Sequence, residues 1–145
     1  MGKTIRSETI NGAGEATNEE LGERAVKAGW EWMPGTLDTT GHRFICLADC
    51  GEAFWIWVAE DGCDVLPVAG RYPDLTDPAT LGCLLVLVAE AYNCSLKEVY
   101  CVRHTGGGWA VWQHVSDQSR KRLTPLHEDY LTRAEALVAA LEAAP

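Results

Sequence analysis

The sequence predicts an α+β fold, an antiparallel sheet of about four or five strands with helices packed on it as an α-β-α sandwich. Three observations carry this expectation. Arg71–Asn93, RYPDLTDPATLGCLLVLVAEAYN, is a loop leading into a helix that is apolar on nearly every side. Such a helix must be covered by protein, and it falls short of the roughly 20 apolar residues that cross a bilayer. The run Ala53–Ala59, AFWIWVA, is apolar at every position, as a strand covered on both faces would be. Finally, hairpin, loop and helix recur along the chain, giving the order α-β-β-α-β-β-α.

Met1–Ala16 is rich in Gly, Thr and Glu without a period, and reads as a flexible arm. The remainder, 17–145, is long enough to bury the core of one domain without metal or disulfide staples. Thr17 and Glu20 have capping-box spacing, and Leu21, Ala25 and Ala28 recur at helical intervals up to Gly29. Trp30-Glu31-Trp32-Met33 then leads to a Pro34-Gly35 turn. His42–Ala48 and Ala53–Ala59 form a hairpin around Asp49–Glu52, with Phe54, Ile56 and Val58 on one face and Trp55 and Trp57 on the other. Asp61-Gly62 turns the chain into a short strand, Cys63–Val68. Thr76 or Asp77 caps the apolar helix, Pro78 suits its first turn, and Asn93 stops it. Glu98–His104 and Trp109–Val115 make a second hairpin around Thr105-Gly106-Gly107-Gly108. Ser116–Pro125 reads as a polar loop. A last helix starts at Thr132, with Glu135 at capping-box distance and Leu137, Val138 and Leu141 on one face.

The formal charge of −9, from 21 acidic and 12 basic residues, repels duplex nucleic acid and suits solubility or a basic protein partner. Met1–Gly14 lacks an apolar run, so neither a secretory leader nor a membrane partner is expected, and the six cysteines are expected as cytoplasmic thiols.

Among the cysteines, Cys46 and Cys50 invite a zinc test with Cys63 and His42, but one close pair falls short of a zinc knuckle set. Cys83, Cys94 and Cys101 read as packing residues. No metal site and no cofactor is assigned. The chain has neither G-x-S-x-G nor H-E-x-x-H, and Asp61 and Asp64 suit turns, so no catalytic residue is assigned. The candidate ligand residues lie at three places. At the hairpin tip, Gly106 and Gly107 let backbone amides approach an anion, with Arg103, His104 and Trp109 beside them; the same tip also reads as a plain tight turn. Trp30 and Trp32 stand near a turn, where a ring can stack on a base. Arg71 and Tyr72 precede the apolar helix, whose N-terminus favours anions, although Asp74 and Asp77 stand at that same end. Arg120-Lys121-Arg122 is the only dense basic run, able to grip a phosphate or simply to be solvated. Trp109 and Trp112 fall on opposite faces of their strand.

GWEWMPG at Gly29–Gly35, PDLTDPATLGCLLVLVAEA at Pro73–Ala91 and the closing AEALVAALEAA resemble small proteins of tailed phages and prophages, the phage ABA-sandwich group. The resemblance spans Leu21 to Pro145 and is weakest over Val99–Tyr130. It implies a layered α-β-α fold, the cytoplasm of an infected bacterial host, and an accessory gene, and it brings no catalytic residues. The first functional expectation is therefore a non-enzymatic counter-defence protein that binds a small anionic, nucleotide-like immune signal of the host. The second is an acidic inhibitor of a host protein, a nuclease or regulator, steered by charge. A nucleotide-modifying enzyme or hydrolase comes third. A homo-oligomer suits either binder.

Overall fold

The computed structural model describes residues 4–5, 16–49, 52–59, 62–64, 70–125 and 128–145; for 4–5, 45–49, 52–59 and 62–64 it describes the backbone alone. The chain is α+β. Its elements are β1 (Thr4–Ile5), α1 (Asn18–Lys27), β2 (Arg43–Asp49), β3 (Glu52–Ala59), β4 (Gly62–Asp64), α2 (Pro78–Ala91), β5 (Val99–Arg103), β6 (Trp109–Ser116), β7 (Ser119–Arg122), β8 (Glu128–Asp129) and α3 (Arg133–Glu142). No helix among the described residues is long and apolar enough to cross a membrane.

Among the described residues, each α-helix starts where its sequence places a cap. The Thr17 hydroxyl accepts from Glu20 N–H at 3.1 Å while Glu20 accepts back from Thr17 N–H at 3.4 Å, so two otherwise orphaned donors are satisfied reciprocally. Asp77, not Thr76, caps α2: its carboxylate accepts from the N–H of Thr80 at 3.1 Å and from its hydroxyl at 2.8 Å, with Pro78 in the first turn. Thr132 accepts from Glu135 N–H at 3.1 Å and starts α3. Asn93 ends α2 in the left-handed region at φ 53°, a conformation asparagine tolerates.

Hydrogen bonds divide the strands into two three-stranded antiparallel sheets, β2-β3-β4 and β5-β6-β7, and a short parallel pair of β1 with β8. Among the described residues no hydrogen-bonded sheet exceeds three strands. The first hairpin forms as expected, with Arg43 opposite Val58 through to Asp49 opposite Glu52. The expected two-faced burial of strand 53–59 concerns side chains outside the described set. The second hairpin pairs Val99 with Gln113 through to Arg103 with Trp109. Ser116–Pro125, expected as a loop, instead contributes β7, paired to β6 through Trp112–Arg122, Gln113–Lys121 and His114–Arg120. Its charged composition hides the strand from a search for apolar alternation. The extended backbone brings the guanidinium carbons of Arg120 and Arg122 to 4.3 and 5.8 Å from the Trp112 ring centre, so aliphatic stems and cation–π contact cover that ring.

The helical layer lies on one face of β5-β6-β7. α3 sits at its centre, packed on β5 and β6 and flanked by α1 and α2. It is buried without interruption from Glu135 to Leu141, more fully than its expected single apolar stripe required. α1 is tied to its far end by Arg24, which donates to both Glu142 oxygens at 2.6 and 3.0 Å. Gly22 lets α1 approach the chain before α2, since a Cβ there would stand 2.7 Å from the Pro73 carbonyl oxygen. The apolar helix α2 corrects the expectation of complete cover. Thr80, Leu84, Leu87, Val88 and Ala89 are buried, but Leu81 and Leu85 are half-buried and Gly82 is exposed. The helix stands at the margin of the layer, beside the outer edge of β5, where no described strand lies next to it.

Candidate functional site

The site starts at the first residue of β6. Trp109 faces Arg103 of β5 in register, and on its other side exchanges two backbone hydrogen bonds with Tyr130, at 2.7 and 3.0 Å. These bonds fix the indole on the helical face of the sheet. Two residues after Tyr130 the Thr132 cap begins α3, so Arg133 is delivered directly above the indole, its guanidinium carbon 5.3 Å from the ring centre. Around this pair runs a cleft of two lobes that share Thr76, Leu81, Trp109 and Arg133 as a saddle. The first lobe, about 510 Å³, runs toward Ala16, Asn18, Leu75 and Leu131. The second, about 800 Å³, runs along β5 past Gly82, Leu85 and Cys101.

The electrostatics of the saddle favour an anion. Neither Arg103 nor Arg133 has a carboxylate partner among the described residues, and Arg133 occupies the first turn of a helix, where the backbone adds partial positive charge. The nearby acids are engaged elsewhere. Asp74 accepts from Asn18 at 2.8 Å and from the Thr76 hydroxyl at 2.6 Å. Burial opposes ionisation of Asp77, but the Arg43 guanidinium and the Thr80 hydroxyl and N–H outweigh it and hold its carboxyl below the ordinary range.

Nucleophilic chemistry is disfavoured at the described thiols. Burial pushes the Cys101 thiol up to about 11, only partly offset by Arg133. Burial likewise raises Cys83 and Cys94. Each is thus a protonated packing group near neutral pH. Among the described residues no group of three His, Cys, Asp or Glu side chains gathers as a metal site; Cys46, Cys50 and Cys63 fall outside the described side chains.

The residues singled out in the sequence separate into three groups. Trp109 lines the cleft, and Arg103 is its exposed cross-strand neighbour on β5. Arg71 does not: its Nη1 donates to Asp38 Oδ2 at 2.6 Å, with only 1% of that carboxylate side chain exposed. Tyr72 lends its carbonyl to Thr39 N–H at 3.0 Å and its Cβ borders Gly22. Trp30 is 8% exposed and stacks edge-on against Trp32 at 5.6 Å, which in turn meets Phe44 at 5.8 Å. Trp30 joins the buried core, and Trp32 packs half-buried against it, after α1 has ended and the chain has turned at Gly29. His104 turns away from solvent too, its Nδ1 standing 3.1 Å from both Asp129 oxygens, and Arg122 Nη2 donates to the same carboxylate at 2.9 Å. Gly106 is exposed and Gly107 supplies the turn at φ +93°. The decisive glycine is Gly108, where a Cβ would come within 2.4 Å of Asp129 Cβ. The tip is thus a hairpin locked onto β8.

Arg133, Thr76 and Leu81 are cleft residues that sequence reasoning missed. The Thr132 cap was a usable signal for Arg133, because it assigns the next residue to an exposed first turn. Compared with known proteins, the chain matches no protein-family model, no curated protein and no solved structure.

Proposed function

We propose that this chain is a non-enzymatic binding protein whose first lobe and saddle hold a small anionic, nucleotide-like ligand. One observation carries the reading: an arginine without a carboxylate partner among the described residues stands over a tryptophan ring, 5.3 Å from its centre, where both line a roomy cleft. A planar base would stack on Trp109 beside the guanidinium, and a phosphate would meet Arg133, Arg103 and the first amides of α3. The protonated Cys101 thiol, the one described cysteine lining the cleft, fits binding without turnover. A role in a tailed phage, sequestering an immune signal in the host cytoplasm, belongs to the same proposal and rests on the resemblance of Gly29–Gly35 and Pro73–Ala91. So does the full α-β-α sandwich, supported by the helical layer over β5 and β6.

Calorimetry against cyclic oligonucleotides and ADP-ribose derivatives tests the reading. Binding by the native chain, weakened at least about tenfold by Trp109→Ala and by Arg133→Ala, is the expected result, since a stacked base or a charged contact is worth about 1–3 kcal/mol. No heat across the panel overturns it.

A further inference from the structure

The second lobe has features that a small anion does not use. β5 is an edge strand: β6 lies on one side of it and no described strand on the other. Its hydrogen-bond pattern follows from the turn. His104 N–H donates to Gly108 O at 2.8 Å, so by alternation Val102 and Tyr100 bond to β6 while Arg103, Cys101 and Val99 turn their N–H and C=O groups outward. These three residues also share the side-chain face on which Trp109 and the helices lie. Along this edge runs the 800 Å³ trough, and its far bank is α2, where Pro78, Leu81, Gly82 and Leu85 fall on one helical face. That bank explains the incomplete cover of α2. Gly82 adds width, because a Cβ there would meet nothing within 4 Å. Arg133 lines the trough and Arg103 is the exposed last residue of β5 beside it; neither has a carboxylate partner among the described residues.

We infer that this trough binds an extended peptide of a partner protein, which adds as a fourth strand to β5. The peptide chemistry follows from the walls. Backbone pairing would satisfy the outward groups of Val99, Cys101 and Arg103; alternate apolar side chains would cover Leu81 and Leu85; and an Asp or Glu at one end would meet Arg103 and Arg133. A second copy of the chain is disfavoured as the occupant because two bodies of net charge −9 repel over their whole surfaces, whereas a short peptide brings only its one acidic end to the arginines.

Selection from a displayed library of random ten-residue peptides on the folded full chain tests the inference. The expected outcome is enrichment of sequences with alternating apolar residues and one terminal Asp or Glu. A synthetic peptide of the enriched sequence should slow amide exchange at Val99, Cys101 and Arg103 but leave Tyr100 and Val102 unchanged. Gly82→Trp fills the trough from an exposed helical position and should weaken that peptide at least tenfold while sparing nucleotide binding in the first lobe. Arg103→Ala should erase the acidic preference and keep the apolar one. Three results overturn the inference: no enrichment above background, peptide affinity unmoved by Gly82→Trp, or self-association in sedimentation that Gly82→Trp abolishes. Loss of the nucleotide response with peptide binding intact removes only the small-ligand reading.

Discussion

Arg71 and Arg133 both stand at the approach to a helix N-terminus, yet the chain uses them in opposite ways. Arg71 closes a knot in which buried Asp38 also accepts from Thr40 N–H at 3.0 Å, the Thr40 hydroxyl at 2.8 Å and His42 N–H at 2.8 Å. Arg133 lies across an indole at the lip of an open cleft. The same side chain therefore serves as an internal brace where a buried carboxylate meets it, and is left at the lip of a cleft, where we propose that it meets a ligand, when its partner is an aromatic face. Helix position alone does not distinguish the two; the partner does.

Breaking the knot should have the largest effect. Asp38→Ala removes the acceptor of four hydrogen bonds and should cost about 3–5 kcal/mol, the range for losing one partner of a buried ion pair, read as a lower urea midpoint. Gly108→Ala strikes the hairpin lock through its overlap with Asp129. Overpacking of this kind costs about 1–3 kcal/mol, measurable in the same denaturation series. Acid sharpens the comparison further. Burial of Asp38 disfavours its charge, but His42 N–H, Thr40 and Arg71 outweigh it and hold the folded carboxyl below the usual range. Asp77 is depressed as well. Their stabilisation is thus complete above the unfolded value of about 3.9 and is lost as pH falls through the lower folded values. An acid melting series should show Tm falling over that window, with a shallower fall in Asp38→Asn. Arg133→Ala should have the smallest stability effect, no more than about 1 kcal/mol for an exposed cation–π contact, while weakening ligand binding most. A large loss of stability there would make Arg133 a brace like Arg71.

Much of the fold was legible before any coordinates, and for local reasons. Caps at Thr17, Asp77 and Thr132 and both hairpins depend on residues a few positions apart. The candidate site was half legible. Arg103 and Trp109 share a hairpin, so their adjacency is local, but Arg133 reaches Trp109 across 24 residues of chain through the Tyr130 bridge. The burial of Trp30, the half-burial of Trp32 and the engagement of Arg71 with Asp38 were not legible, because exposure is not a property of a residue type. Each was placed beside a turn, and each turn bends the chain inward.

By itself, then, the sequence determined the α+β class, the helix starts and stops, the two hairpins and the acidic charge. Tertiary structure decided that β7 is a strand, that α3 and not α2 is the enclosed helix, and which arginines keep a carboxylate. The physical reason is range. Backbone caps and turns are closed within a few residues, whereas burial, an open sheet edge and the partner of a charge depend on what distant segments bring alongside.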